Sequence, residues 1–297
     1  MNEPLVSVVT ITRNRGNLLK RCISSVLSQT YKNIEHIVVD GASDDNTDEV
    51  MANFKDKRLK YVKLESNWPI KETLDYGISL CSGKYVTFLD SDDEYLPIKI
   101  EKQVKLIESL PEDYGFVYCW MTYFDNNTKK TLRLHNTKLR GDVSCESIES
   151  PCISGTPTLL FRAEVLREIG GWKSRDEIGI ISDWEMCARV CQKYKVDYVA
   201  ESLVNVYVNH GDVRQSLGAL YYDDFYERNK KFHNYFFETY KEAFEKEPKI
   251  RAYHYFEMFL TGIKCKRYSK ATCNLMSSFY YNPWLTFRKI FSLMRMG

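Results

Sequence analysis

Four short β-branched or aromatic runs, each separated by a stretch of helical periodicity, fill the first ninety residues and most constrain the fold. Residues 5–12, 34–40, 59–64 and 85–90 read as strands, and residues 17–27, 48–54 and 70–80 carry apolar side chains at helical spacing, the last closed by Ser82-Gly83. Strands alternating with helices of this length predict βαβ units and a parallel sheet. Right-handed crossovers keep such strands pointing one way, so the turns that follow them gather at one edge. Three separated segments therefore converge: Thr12-Arg13-Asn14-Arg15, Asp40-Gly41-Ala42-Ser43-Asp44 and Asp90-Ser91-Asp92-Asp93.

The last of these carries the chemistry. A near-continuously apolar strand, buried on both faces, ends abruptly in three carboxylates at Asp90, Asp92 and Asp93. Ligands of open α/β sheets bind beyond the carboxyl ends of the strands. Packed acids repel one another unless a cation neutralises them, and a pair spaced i, i+2 suits a hard divalent ion such as Mn2+ or Mg2+ that shares its coordination with substrate phosphates. The competing reading is a solvated acidic loop at the start of the next helix, where Asp and Glu are favoured. Neither GxGxxG nor GxxxxGK[ST] occurs, so a dinucleotide site or a P-loop would lack its phosphate cradle.

The chain has 297 residues, 44% of them hydrophobic, and a formal charge of +2. That balance describes a globular protein of one or two domains and gives no case for nucleic-acid binding. Nine cysteines without a CxxC pair read as buried thiols in a reducing compartment, and Cys187 with Cys191 lacks the further ligands of a zinc site. The apolar run at 5–11 is short for a signal peptide, and no run of about 18 apolar residues is present. The expected location is cytoplasmic. After Met258 the chain contains no acid, while Trp284, Leu285, Phe287, Ile290, Phe291 and Leu293 alternate with Arg288, Lys289 and Arg295. This is the pattern of a basic amphipathic helix lying on the inner face of the cell membrane; packing on the rest of the chain or on another subunit in an oligomer is the alternative.

Further along, helices are expected at 96–110, 163–169 and 183–194, strands at 115–124, 131–134 and 156–161, and a loop at 136–150; beyond His210 the pattern is helical, broken near Pro248, Gly262 and Pro283. Residues 5 to 210 carry a series of motifs in order: Val6-Ser7-Val8-Val9-Thr10 with Arg13-Asn14-Arg15; Ser24-Ser25-Val26-Leu27-Ser28-Gln29-Thr30-Tyr31; Val38-Val39-Asp40-Gly41-Ala42-Ser43-Asp44-Asp45-Asn46-Thr47; Gly83-Lys84-Tyr85 through Asp93; and Gly170-Gly171-Trp172 followed by Ser182-Asp183-Trp184-Glu185. In these motifs the stretch resembles the family 2 glycosyltransferases of GT-A fold that assemble bacterial surface polysaccharides.

The resemblance implies an α/β GT-A fold, Rossmann-like, with a mostly parallel central sheet flanked by helices and a helical C-terminal extension. Its parts would be a nucleotide-sugar half at 1–95, an acceptor half at 96–214 and a basic, aromatic-rich helical region at 215–297. By the same resemblance, Thr10, Thr12, Arg13 and Asp40 would hold the nucleotide, Asp90 and Ser91 would face its ribose or diphosphate, and Asp92 would ligate Mn2+ or Mg2+. Asp183 would be the general base of an inverting transfer from a nucleotide-diphosphate sugar, UDP-linked, to a glycan or lipid-linked glycan. His210 is read as a metal ligand, a diphosphate donor, or a packed or solvated residue, Arg214 as a diphosphate contact, and Trp184 as a sugar-lining or a core ring. The family often has Glu-Asp where this chain has Ser182-Asp183, so one acidic neighbour of the base is missing. It also often has an acidic segment and an Asn-Gly pair before the acid strand, where this chain has Glu65-Ser66-Asn67-Trp68-Pro69 and Asp75-Tyr76-Gly77. A catalytically degenerate nucleotide-sugar or glycan-binding module of the same fold is the alternative.

Overall fold

The computed structural model describes residues 3–151, 153, 155–180, 183–209 and 222–294. Its strands are β1 (Val6–Thr12), β2 (Ile34–Asp40), β3 (Leu59–Lys63), β4 (Tyr85–Phe88), β5 (Glu94–Tyr95), β6 (Tyr114–Asp125), β7 (Thr131–His135), β8 (Leu160–Arg162) and β9 (Lys195–Val208). Its helices are α1 (Gly16–Leu27), α2 (Thr47–Ala52), α3 (Ile70–Ser79), α4 (Lys99–Glu108), α5 (Ser144–Glu149), α6 (Ala163–Ile169), α7 (Arg175–Ile178), α8 (Asp183–Cys191), α9 (Tyr222–Thr239), α10 (Lys241–Lys246), α11 (Pro248–Lys264), α12 (Tyr268–Tyr281) and α13 (Pro283–Met294). The chain divides into two compact units: Met1–Val143 with Ile153–Trp172 and Glu185–Gly211, and Ser144–Cys152 with Lys173–Trp184 and Asp212–Gly297.

The first unit holds all nine described strands in one sheet of order β3-β2-β1-β4-β8-β6-β9-β5, with β7 beside β6. β3, β2, β1 and β4 are parallel, as the alternation of elements requires, and the long β6–β9 ladder is parallel too. β8 joins the halves antiparallel to both β4 and β6. β1, β2 and β4 are buried along almost their whole length because helices cover both faces. On α1, Leu19, Cys22, Ile23 and Val26 face inward at i, i+3, i+4 and i+7. Gly83, two residues before β4, lies where the chain presses against β1: a Cβ there would stand 2.7 Å from the Ser7 nitrogen and 2.8 Å from the Leu5 oxygen. Glu35 closes this end of the sheet, accepting from the Ser7 hydroxyl and the Ser82 N–H at 2.6 Å each and pairing with Lys60 at 2.6 Å.

Two expected elements differ. Residues 156–161 form a 3-10 turn at Thr156–Thr158 followed by only three residues of strand. Pro157 lacks the N–H that a ladder needs, so the strand starts late. The expected loop 136–150 contains α5, whose Ser147 and Ile148 are buried although the surrounding composition is polar.

The second unit is helical. Its core is a stack of rings in which Trp184 touches Phe232, Phe236, His233 and His254, with centroid distances of 4.9 to 6.1 Å. His233 and His254 face each other through their Nδ1 atoms at 2.9 Å, and His254 Nε2 lies 2.9 Å from the carbonyl oxygen of Ile148. A carbonyl only accepts, so His254 carries its proton on Nε2 and receives a hydrogen bond from the His233 Nδ1–H. Burial pushes both imidazoles down, His254 to about 4, and the neutral pair fits that chemistry.

Candidate active site

Parallel pairing sets Thr12 opposite Asp40, so β1 and β2 end level. Asp40 is fully buried, and its carboxylate orders the turn that follows: Oδ1 accepts from the Ser43 N–H at 3.0 Å and the Ser43 hydroxyl at 2.5 Å, and Oδ2 accepts from the Tyr61 hydroxyl at 2.7 Å. The two turns are stitched together. Asn14 N–H donates to Ser43 Oγ at 2.8 Å, Asp44 N–H to Asn14 Oδ1 at 2.9 Å, and Gly16 N–H to Asp45 Oδ2 at 3.0 Å. Asn14 and Ala42 both adopt positive φ, +53° and +59°. Asn tolerates that region, whereas Ala there is held against a local cost, which is typical of binding turns.

Thr10 and Thr12 point to the same face of β1 but differ in what they can offer. The Thr10 hydroxyl is spent in the interior on His36 Nε2 at 3.0 Å and Cys22 at 3.5 Å. Thr12 Oγ1 is buried with no hydrogen-bond partner among the described residues. A buried hydroxyl with no partner at a strand end, beside a buried carboxylate, has unused capacity to donate one hydrogen bond and to accept others. Arg13 is exposed on the same turn.

β4 stops at Phe88 and the acids follow in a tight turn closed by the Asp93 N–H on the Asp90 carbonyl at 3.0 Å. Asp90 is exposed, Asp92 half-buried, and Ser91 and Asp93 are buried. Burial, with Asp90 and Asp92 close by, raises the Asp93 carboxyl well above the usual range. Asp92 pairs with Arg15 at 3.1 Å, which ties the first turn to the third. The expected convergence of the three turns on one edge is therefore observed. Hard oxygen donors under mutual repulsion fit a divalent cation. Among the described residues no group of three or more His, Cys, Asp or Glu is arranged to hold a metal by itself. The donor set suits an ion that takes the rest of its ligands from a diphosphate.

A clamp on this turn comes from residues the motifs did not single out. Arg21, on α1, donates to the Asp92 carbonyl, and its guanidinium lies 3.6 Å from the centre of the Tyr207 ring. Tyr207 N–H donates to Asp93 Oδ1 at 3.0 Å, and its hydroxyl donates to Glu94 at 2.9 Å, as does the Asn205 amide at 3.1 Å. Burial, and then Glu94, raises the Tyr207 phenol. Asn209 bonds Asp125 at 2.6 Å, and with the adjoining turn amides it lowers that carboxyl to about 2. The signal was present: Asn205, Tyr207 and Asn209 alternate with Val204, Val206 and Val208, the period of a strand with one polar face.

The Gly-Gly-Trp motif supports the floor. α6 ends at Gly170 with φ +77°, and Gly171 follows at +66°. Arg189 donates to the carbonyls of Ile169 and Gly171 while Glu185, fully buried, grips its guanidinium with both oxygens at 2.9 and 2.8 Å. Trp172 meets Phe88 edge-on at 4.7 Å, directly under the acid strand. Lys99 lies beneath it too, donating to Thr87 Oγ1 at 2.7 Å, and full burial lowers its ammonium to about 7.

Asp183 is the first residue of α8 and is half-buried; it belongs to the second unit. Trp184 is buried and donates its indole N–H to the Ser147 carbonyl at 2.7 Å. Of the two readings of Trp184, the packed ring is the one observed, because the whole indole is enclosed by aromatic neighbours. His210 and Arg214 lie outside the described residues, as does Ser182.

A sheet with parallel strands ending in stitched turns, an acid cluster at the end of β4 and appended helices define a GT-A fold. The family model for glycosyl transferase family 2 matches residues 7–170, and the chain belongs to that family. It is 34% identical over 174 residues to a glycosyltransferase of Rickettsia typhi, a match that spans 57% of this chain and 53% of that protein. It is 33% identical over 128 residues to the Escherichia coli UDP-Glc:alpha-D-GlcNAc-diphosphoundecaprenol beta-1,3-glucosyltransferase WfgD, spanning 43% of this chain and 50% of WfgD. The chain thus spans about half the length of these curated relatives. Among solved structures, the fold matches Staphylococcus aureus TarS 1–349 in complex with UDP-GlcNAc at TM-score 0.61 and 15% identity, covering 93% of this chain and 91% of that one. It also matches the Pyrobaculum calidifontis mannosyltransferase PcManGT, in complex with GDP-Man and Mn2+, at TM-score 0.63 and 15% identity, covering 99% and 81%.

Proposed function

We propose that this chain is an inverting glycosyltransferase that moves a sugar from a nucleotide-diphosphate donor, UDP-linked, to a hydroxyl of a glycan or lipid-linked glycan. The observation that carries the reading is the meeting of three strand-end turns around Asp90, Asp92 and Asp93, with Arg15 from the first turn and Arg21 from α1 both reaching Asp92. Thr12 and the Asp40-ordered turn would receive the nucleoside, Thr12 through its unpartnered hydroxyl. Thr10 would act only by packing, and Arg13 would meet the nucleotide from the exposed side of the turn.

Asp92, with Asp90 beside it, would hold Mn2+ or Mg2+ against the donor diphosphate. When bound, the ion supplies charge neutralisation to the leaving diphosphate. Asp183 would take the proton of the acceptor hydroxyl as that oxygen attacks the anomeric carbon. A single displacement with one reacting carboxylate inverts the anomer. A UDP donor and a lipid-linked acceptor are drawn from the likeness to WfgD and TarS, and the GDP-Man complex of PcManGT sets the competing donor.

Calorimetric titration of UDP and GDP, each with Mn2+ and with a chelator, tests the reading. Binding of UDP alone, and only with the ion, is expected. Binding of GDP alone would move the donor class. No binding of either under any condition would end the donor reading, and tight binding without transfer to any acceptor would favour the degenerate module.

A further inference from the structure

The second unit ends in two helices that leave large apolar side chains in the open, which a water-facing surface does not need. On α13, Trp284, Phe287, Phe291 and Met294 fall at i, i+3, i+7 and i+10, one stripe of a helix. Their exposures are 78%, 50%, 60% and 72%, and Met276 and Tyr280, one turn apart on α12, reach 67% and 81%. Phe279 meets Phe287 edge-on at 4.9 Å, so the two helices are packed together beside the stripe. The opposite side of α13 is committed to the unit: Thr286 is buried on Ser278, and Lys289 turns inward to Glu257 at 3.3 Å and to the Tyr253 ring at 3.6 Å. The exposed stripe is therefore not a core face lacking only a better position.

Charge says what covers it. No acid occurs from Met258 to the C-terminus. Arg288, at i+4 from Trp284, flanks the stripe, and Lys264 and Lys266 are exposed at the end of α11 and just beyond it. We propose that this surface docks on an anionic membrane, with the stripe of α13 seated among the lipid headgroups and the basic residues on the lipid charge. Trp and Tyr at the edge of an apolar stripe are the rings that favour the headgroup level. A second copy of the chain would meet the same cationic surface and be repelled by it. No described helix is long and apolar enough to cross a membrane, so the contact is one of lying on the surface. The inference rests on this surface alone and stands apart from the donor chemistry.

Co-sedimentation of the full chain with phosphatidylcholine vesicles, with and without phosphatidylglycerol, tests it. Expected are pelleting with the anionic vesicles only, its loss at high salt, and about a fivefold drop in partition for Arg288→Gln, the loss of one charge at about 1 kcal/mol. Trp284→Ser with Phe291→Ser should abolish pelleting while the far-ultraviolet circular dichroism is unchanged. Lys289→Gln, on the inward side, should leave vesicle binding intact. If the wild-type chain ignores both vesicles and light scattering shows a dimer that the Trp284→Ser, Phe291→Ser chain loses, the surface is a subunit interface and the membrane proposal is overturned. Equal binding to neutral vesicles would remove the role of charge.

Discussion

Each carboxylate of the acid turn is placed differently, and the differences set what single substitutions should do. Asp92 pairs with Arg15, and Asp93 is held by the Tyr207 amide. Asp92→Asn should reduce ion-dependent nucleotide binding by at least tenfold, measured by calorimetry, without lowering Tm by more than a few degrees. Asp183→Asn should leave donor binding unchanged and reduce transfer by about 10²-fold or more, the scale of general-base catalysis; wild-type turnover would place the base elsewhere. Lys99 gives a test on stability. Its ammonium titrates near 7 in the folded chain and near the ordinary lysine value of about 10.4 when unfolded. Between those values the unfolded chain holds a proton that the folded chain has released, so Lys99 makes stability rise with pH, by at most about 1.4 kcal/mol per unit. Chemical denaturation of Lys99→Met should show that slope flattened between pH 7 and 10, with a more stable chain at pH 7.

The early elements were legible because local pattern and tertiary demand agree there: buried β1, β2 and β4 can only be apolar runs, and the Gly170-Gly171 stop of α6 is a positive-φ cap. What escaped was decided at a distance. α5 hides in a polar stretch because only Ser147 and Ile148 need be buried, and Thr10 resembles Thr12 in sequence while its hydroxyl faces His36. Arg21 sits 71 residues from the Asp92 carbonyl it reaches, beyond any local pattern. Gly83 belongs to the legible part, since a glycine before a buried strand marks a close backbone approach. Gly83→Ala would press a Cβ onto the Ser7 nitrogen of β1 and the Leu5 oxygen just before it, backbone atoms that cannot yield separately. A loss of about 1–3 kcal/mol is expected, read as a fall in denaturation midpoint with an unchanged slope.

At the scale of the molecule the two units answer acid differently. Among the described residues the second buries two imidazoles, His233 and His254, both shifted down, while the first buries one, His36, lowered by burial to about 3. A histidine with a depressed folded pKa contributes stability that is whole above its unfolded value of about 6.5 and is lost as pH falls toward the folded value. Two such groups give the second unit a slope of up to about 2.7 kcal/mol per pH unit, twice that of one. The first unit also has an opposing group. Asp93, raised by burial and by Asp90 and Asp92, takes up its proton at a higher pH than its unfolded counterpart, so its contribution improves as pH falls and opposes that of His36. The helices α9 and α11 should therefore loosen at pH 5 while β1, β2 and β4 hold. Hydrogen exchange by mass spectrometry at pH 7 and pH 5, corrected for the intrinsic rates, would show protection falling in α9 and α11 and little changed in the sheet. In His233→Phe about half of the second unit's slope should disappear; parallel losses in both units would mean that they unfold as one cooperative body.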